Sequence, residues 1–237
     1  MERGNVYTIF FAVVLCLISS SALTFVSKGL EPRKNFNMEI ERQKNVLKAF
    51  GFDCAGMKQT EIAALYTKNI VESVSDKGGS IVQGKKPADI GKSEVGTLLP
   101  LYTYMSGNEL KGYAIPTSGQ ALWSKCYGYF ALAKDLNTVQ GITFYQHGET
   151  PGLGGEIESA WFQDNFKGKK IYDSSGTLRS ITIVKGQVST LADKSRHIHS
   201  VDGISGATMT GDGVNTFLRA DLERYEALFT NLRKGLK

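Results

Sequence analysis

The chain has 237 residues, 41% hydrophobic and 22% charged, with 26 Gly and 5 Pro, a balance that excludes disordered, collagen-like and coiled-coil classes. Its net charge of +5 arises from 28 Lys and Arg against 23 Asp and Glu dispersed without basic runs or interleaved aromatics, so nucleic acid is not an expected partner. Cys16, Cys54 and Cys126 are odd in number and hold no CxxC pair, which argues against a disulfide scaffold and a Cys-ligated zinc site.

Residues 4–27 carry no charge, and 7–26 form an apolar stretch of 20 residues, about 30 Å long as a helix, which matches the hydrocarbon core of a bilayer. We read residues 1–28 as an N-terminal membrane anchor. A cleaved signal peptide is the competing reading, because the strongest apolar run, 6–18, ends at Ser19, Ser20, Ser21 and Ala22. Leu23, Phe25 and Val26 continue the apolar stretch past the serines, and Glu2 neutralises Arg3, so an anchor is favoured. Charge does not fix the orientation, since Arg3 stands on one side and Lys28, Arg33 and Lys34 on the other.

Residues 29–37, with Pro32, read as a short linker, and 38–237 as one domain. Residues 38–51 have helical spacing, with Ile40, Val46, Leu47 and Phe50 apolar and Gly51 as a stop. A second helix begins near Thr60. Strand periodicity follows: 99–105 with 110–115, and 127–132 with 139–145, form two expected antiparallel hairpins. A third, 170–172 with 178–184, would turn at Ser174, Ser175 and Gly176. The C-terminal run places Val214, Phe217, Leu218, Leu222, Tyr225, Leu228, Phe229 and Leu232 on one helical stripe that only Asp221 interrupts. The expected class is α+β, with antiparallel strands in the middle and helices flanking them.

Two segments have the chemistry to hold a phosphate. In the first, residues 146–156, Gly148, Gly152, Gly154 and Gly155 leave backbone N–H groups uncovered ahead of a helix expected over 157–162. A tight turn is the plain alternative, since the segment has neither Walker A nor GxGxxG spacing. The second, Asp202-Gly-Ile-Ser-Gly-Ala-Thr208, stands at the start of the last helix. One hydroxyl suffices to cap a helix, and the run ending at Thr210 supplies three. A threonine there can also be esterified by a phosphate, whose charge then meets the positive end of the helix dipole.

Asp202-Gly-Ile-Ser-Gly-Ala-Thr208 resembles the flavinylation motif of FMN-binding domains, in which the last threonine carries FMN through a phosphoester made by a flavin transferase from FAD. The Gly148-Glu-Thr-Pro-Gly-Leu-Gly-Gly155 loop, Leu122-Trp123-Ser124 ahead of Tyr127-Gly128-Tyr129, and the anchor followed by Glu41-Arg42-Gln43-Lys44-Asn45-Val46-Leu47 are similar to the NqrC family of Na+-translocating NADH:quinone oxidoreductases. The RnfG family of the Rnf electron-transport complexes shares the threonine motif, but the loop and the surroundings of Trp123 favour the former.

The resemblance implies a covalent FMN on Thr208, a single-pass protein of the cytoplasmic membrane with its domain on the outer side, and partner subunits that complete a route from NADH to quinone with export of Na+. It further implies that Asp202, Ser205, Gly206 and Ala207 shape the attachment segment, and that Glu149, Thr150, Gly152, Leu153 and Gly154 cradle the ribityl chain and ring, with Trp123 and Leu153 covering the isoalloxazine. For Asp202 and Ser205 a turn-forming role, and for Trp123 a core role, remain alternatives.

His197 and His199 would share one side of a strand, but nothing nearby completes a metal site, so no metal is expected. A flavin takes one or two electrons, so such a chain needs no catalytic acid or base and binds no substrate of its own. A single span whose polar groups are hydroxyls and one thiol offers no path for sodium. A membrane-tethered flavin-binding sensory domain and a structural assembly protein are the alternatives.

Overall fold

A computed structural model of the chain describes residues 4–235, and the chain divides into two units at Arg42 and Gln43. Residues 1–3, the charged start of the expected anchor, lie outside the described residues.

The first unit belongs to α1 (Asn5–Ala49), a helix long and apolar enough to cross a membrane. Its large apolar side chains stand bare, Phe10 at 67% and Phe25 at 83% exposure, an arrangement suited to lipid and costly in water. The hydroxyls inside the stretch are satisfied by the helix itself: Ser20 Oγ donates to the Cys16 carbonyl at 2.5 Å and Thr24 Oγ to the Ser20 carbonyl at 2.8 Å. Residues 29–37, expected as a linker, are helical, with Pro32 inside α1. A proline removes one backbone donor, and the surrounding Leu30, Glu31, Arg33 and Lys34 are good helix formers, so the helix continues through it.

In the second unit, α2 (Gln59–Asn69) leads directly into a five-stranded antiparallel sheet ordered β1-β2-β3-β4-β5: β1 (Ile70–Asp76), β2 (Leu98–Ser106), β3 (Glu109–Gln120), β4 (Lys125–Ala133) and β5 (Val139–Gln146). Both expected hairpins are present, β2 with β3 and β4 with β5. Strand β1 is additional. Its Ile70, Val71 and Val74 are β-branched, but Glu72, Ser73 and Ser75 dilute the alternation, as an edge strand with one neighbour tolerates.

Both faces of the sheet are covered, which explains why β4 is buried almost throughout. On one face, Thr143 Oγ donates to the Asn45 carbonyl at 3.3 Å, and a Cβ on Gly141 would come within 2.6 Å of the Ala49 carbonyl oxygen. On the other lies the last helix, α4 (Thr208–Gly235). Its buried Val214, Phe217, Leu218, Leu222, Tyr225, Leu228 and Phe229 join Leu101, Ile115, Phe130, Leu132 and Ile142 of the sheet in one core. Each such side chain contributes about 1.5–3 kcal/mol on burial. Asp221 keeps its place in that stripe because its carboxylate accepts from Thr117 Oγ and Ser118 N, both at 2.9 Å. Gly119 permits the helix contact: a Cβ there would fall 2.2 Å from Phe217 Cβ.

The third expected hairpin is reduced to one bridge, Tyr172 with Leu178. Ser180, at φ 63°, turns the chain away, and β6 (Thr182–Ile183) pairs in parallel with β7 (Ser200–Val201). The helix expected over 157–162 is broken: a 3-10 turn (Gly154–Glu158) is followed by a five-residue helix, α3 (Ala160–Asp164). His197 and His199 lie on a 3-10 turn (Lys194–His199) rather than a strand, and their rings meet the separate carbonyls of Leu191 and Lys170.

Candidate functional site

Three segments distant in sequence converge beside the first turn of α4: the β3–β4 turn at Ala121 to Ser124, the loop leaving β5, and the run that ends at Thr210. Their common member is Glu149, 5% exposed. Its Oε1 accepts from Trp123 N at 2.8 Å and Ser124 N at 3.1 Å, and its Oε2 accepts from Thr210 Oγ at 2.7 Å. Burial pushes this carboxyl up, but the bonds from Thr210 Oγ and from the N–H groups of Trp123, Ser124 and Leu122 outweigh it and hold the group below its ordinary value. The carboxylate is therefore ionised at neutral pH and bound on both oxygens. Ser124 Oγ adds a second link by accepting from Gly148 N at 2.5 Å.

The glycine loop closes on itself, since the Thr150 carbonyl accepts from both Leu153 N and Gly155 N. Gly152, at φ 74°, makes that reversal possible. Gly154 is needed for a different reason: a Cβ on it would stand 2.4 Å from Thr210 Oγ and 3.0 Å from Glu149 Oε2. The loop leads into a 3-10 turn and a five-residue helix rather than one longer helix. The helix terminus that exists is that of α4.

Thr208 is the first residue of α4 and is exposed. The Ala207 carbonyl accepts from Gly211 N, which places buried Ala207 at the cap and leaves the N–H groups of Thr208, Met209 and Thr210 without a protein acceptor among the described residues. Ser205 and Gly206 are exposed. Gly206 has φ 74°, and a Cβ on it would come 2.8 Å from Leu153 Cδ2, so the run before α4 and the glycine loop touch at this point. Leu122, Trp123, Leu153 and Met209 present exposed apolar surface from these segments, Trp123 at 68%.

Not every expected site residue faces this surface. Glu149 is turned inward and holds the loops together. Asp202 Oδ1 accepts from Val188 N at 2.7 Å, and Gly203 N donates to the Gly186 carbonyl, so this pair ties the motif to its neighbouring loop. Trp123 is a surface residue and not a core one. Thr210 stood within the motif run, but no local signal marks it as the partner of a carboxylate 61 residues away. Cys54 and Cys126 are buried, and burial together with the Glu149 charge pushes the Cys126 thiol up to about 11, an unreactive state.

The family model for the FMN-binding domain matches residues 122–223, a stretch that contains the three converging segments apart from Ala121. The NqrC subunit of the Na(+)-translocating NADH-quinone reductase of Pseudomonas aeruginosa is 34% identical over 99% of this chain and 98% of its own length. The chain belongs to this NqrC family. The corresponding subunit from Vibrio anguillarum is 32% identical over 87% of this chain and 86% of its own. Among solved structures, the same subunit from Parabacteroides distasonis superposes with a TM-score of 0.74 at 30% identity, covering 85% of this chain and 97% of that one. NqrC of Shewanella oneidensis gives 0.66 at 26% identity, covering 82% and 97%.

An FMN-binding domain of the NqrC family needs room for a phosphate and cover for a large flat ring, and the residues present fit both. Thr208 offers an exposed hydroxyl within a turn whose N–H groups are open, which suits a phosphate. Leu122, Trp123, Leu153 and Met209 offer uncovered apolar surface beside it, which suits an isoalloxazine.

Proposed function

We propose that Thr208 Oγ carries FMN as a phosphoester and that the chain relays electrons within a Na+-translocating NADH:quinone reductase. The single observation that supports this reading most is the exposure of Thr208 at the opening of α4, where the helix donors are free and the glycine loop reaches Gly206 through Leu153. In the maturation step a flavin transferase would use FAD: Thr208 Oγ would form the new P–O bond as the pyrophosphate bond breaks and AMP leaves, with the hydroxyl proton passing to the transferase.

FMN, once held, supplies one- and two-electron chemistry. The residues of the chain do the rest. Thr208, Ser205, Gly206 and Ala207 would fix the phosphate end, with the first-turn N–H groups donating hydrogen bonds to its oxygens. Thr150, Gly152, Leu153 and Gly154 shape the cradle, Trp123 and Leu153 cover the ring, and Glu149 and Asp202 hold the two loops from behind. We assign α1 as a single-pass anchor in the cytoplasmic membrane, with the soluble unit on the outer side within reach of the other subunits.

The test is mass spectrometry of the peptide holding Thr208, from full-length chain produced together with the flavin transferase. The expected result is a mass increased by FMN less water, with flavin fluorescence retained in a denaturing gel, lost in Thr208→Val and kept in Thr208→Ser. An unmodified peptide from wild-type chain overturns the reading.

A further inference from the structure

Arg219 lies eleven residues beyond Thr208 on α4, about 16 Å along the axis at 1.5 Å per residue, and lines a cleft of about 830 Å³ unrelated to the flavin-binding segments. Lys170, Arg179 and Arg196 line the same cleft from three other parts of the chain. Backbone bonds hold these positions in place. The Lys170 N–H donates to the Ile198 carbonyl at 3.0 Å, and the His199 ring meets the Lys170 carbonyl, so Lys170 is held against the 3-10 turn that carries Arg196. Arg179 N donates to the Ile171 carbonyl at 2.7 Å, one residue before the left-handed Ser180 that redirects the chain.

Among the described residues two carboxylates line the cleft, and both are occupied locally. Asp173 accepts from Ser175 Oγ, Ser175 N and Thr177 N, and from Arg179 Nε at 2.7 Å. Asp193 accepts from Ser195 N and Ser195 Oγ within its own turn. Arg219 Nε pairs with Glu223 Oε1 at 3.0 Å on the exposed face of α4, whereas Lys170 and Arg196 form no ion pair among the described residues, so these two leave the cleft with an excess of positive charge. Its volume lies within the range of about 300–1,000 Å³ for small-molecule sites, larger than one phosphate needs. Guanidinium forks match the paired oxygens of phosphate and carboxylate groups.

We infer that this cleft is a binding site for a small polyanion bearing two or more phosphate or carboxylate groups, held by Lys170, Arg196 and Arg219. The inference does not depend on flavin attachment at Thr208. A concave site with cations on several walls suits a compact soluble anion better than an extended acidic segment of a partner, which a flat basic face would take.

The experiment is calorimetric titration of the full-length chain in detergent with inorganic pyrophosphate, with citrate and with an oligoglutamate peptide, at low and at moderate salt. At least one of the two small anions should bind with a Kd below about 1 mM, weakening with salt. Lys170→Ala with Arg196→Ala should weaken it at least tenfold, and Lys170→Glu should abolish it. Both side chains lie on the cleft wall rather than in the core, so unfolding midpoints of the variants should match the wild type. The inference is overturned by binding of neither small anion, by binding of the peptide alone, by unchanged affinity in the double variant, or by affinity that disappears in Thr208→Val while surviving in the double variant.

Discussion

Glu149 and Thr210, 61 residues apart, share a buried hydrogen bond of 2.7 Å that fastens the glycine loop to the first turn of α4. Glu149→Ala leaves Thr210 Oγ and the N–H groups of Trp123 and Ser124 without their acceptor, at a cost of about 1–3 kcal/mol. Glu149→Gln keeps one acceptor oxygen and should lose less. Denaturant unfolding of the full-length variants measures both, and equal midpoints for Ala and wild type would refute the role of this carboxylate as a tie.

The same carboxylate predicts a pH dependence. Its pKa is lowered by folding, so its contribution is present above the unfolded value, about 4.3, and is lost as pH falls through the lower folded value. Glu149→Gln should flatten the acid-side decline of the unfolding midpoint below about pH 4.3 and leave its neutral-side slope unchanged.

Asp221 has the opposite sign. Burial raises its carboxyl, with the bonds from Ser118 N and Thr117 Oγ only partly offsetting that effect. Folding favours the protonated form, so the stability of the wild type falls as pH rises from about 3.9 through the raised value. Asp221→Asn, which can still accept from Thr117 and Ser118, should gain on the wild type as pH rises above about 3.9. A difference between the two that does not change with pH on the acid side would contradict the assignment.

Two threonines of one helical turn should respond differently. Thr208 is exposed and makes no described hydrogen bond, so Thr208→Val should change stability by less than about 0.5 kcal/mol while abolishing flavin attachment. Thr210→Val removes a buried donor to Glu149 and should cost about 1–3 kcal/mol. Thermal melts and in-gel flavin fluorescence separate the two outcomes.

Three glycines differ in what they protect. Gly154→Ala drives a methyl between Thr210 Oγ and Glu149 and should cost about 1–3 kcal/mol, together with a loss of attached flavin. Gly206→Ala meets a left-handed φ and a movable Leu153 methyl, a cost of about 1 kcal/mol with reduced flavinylation. Gly152→Ala has open space and only the φ penalty, so it should melt close to Gly206→Ala. Flavin-to-protein absorbance ratios and unfolding midpoints give the ranking.

Much of the fold was legible because its signals are local. The apolar stripe of α4 and the two hairpins follow from spacing alone, since a helix repeats every 3.6 residues and a strand every two. The third hairpin misled because Leu178 to Val184 is as β-prone as any strand, yet the left-handed Ser180 divides it and Ser200–Val201 offers a different partner. The linker misled because Pro32 is a common breaker, but one lost donor does not end a helix whose neighbours favour it.

The sequence by itself determined the apolar span, the α+β class, the hydroxyl-rich run ending at Thr210 and the glycine loop, all of which are contiguous runs whose chemistry is written within a few residues. Only the tertiary structure decided that Glu149 faces inward to Thr210, that Trp123 is bare, and that Lys170, Arg179, Arg196 and Arg219 line one cleft. A side chain's direction and its distant neighbours depend on how β3, β5 and α4 pack around a shared core, and that packing is a property of the whole chain rather than of any segment.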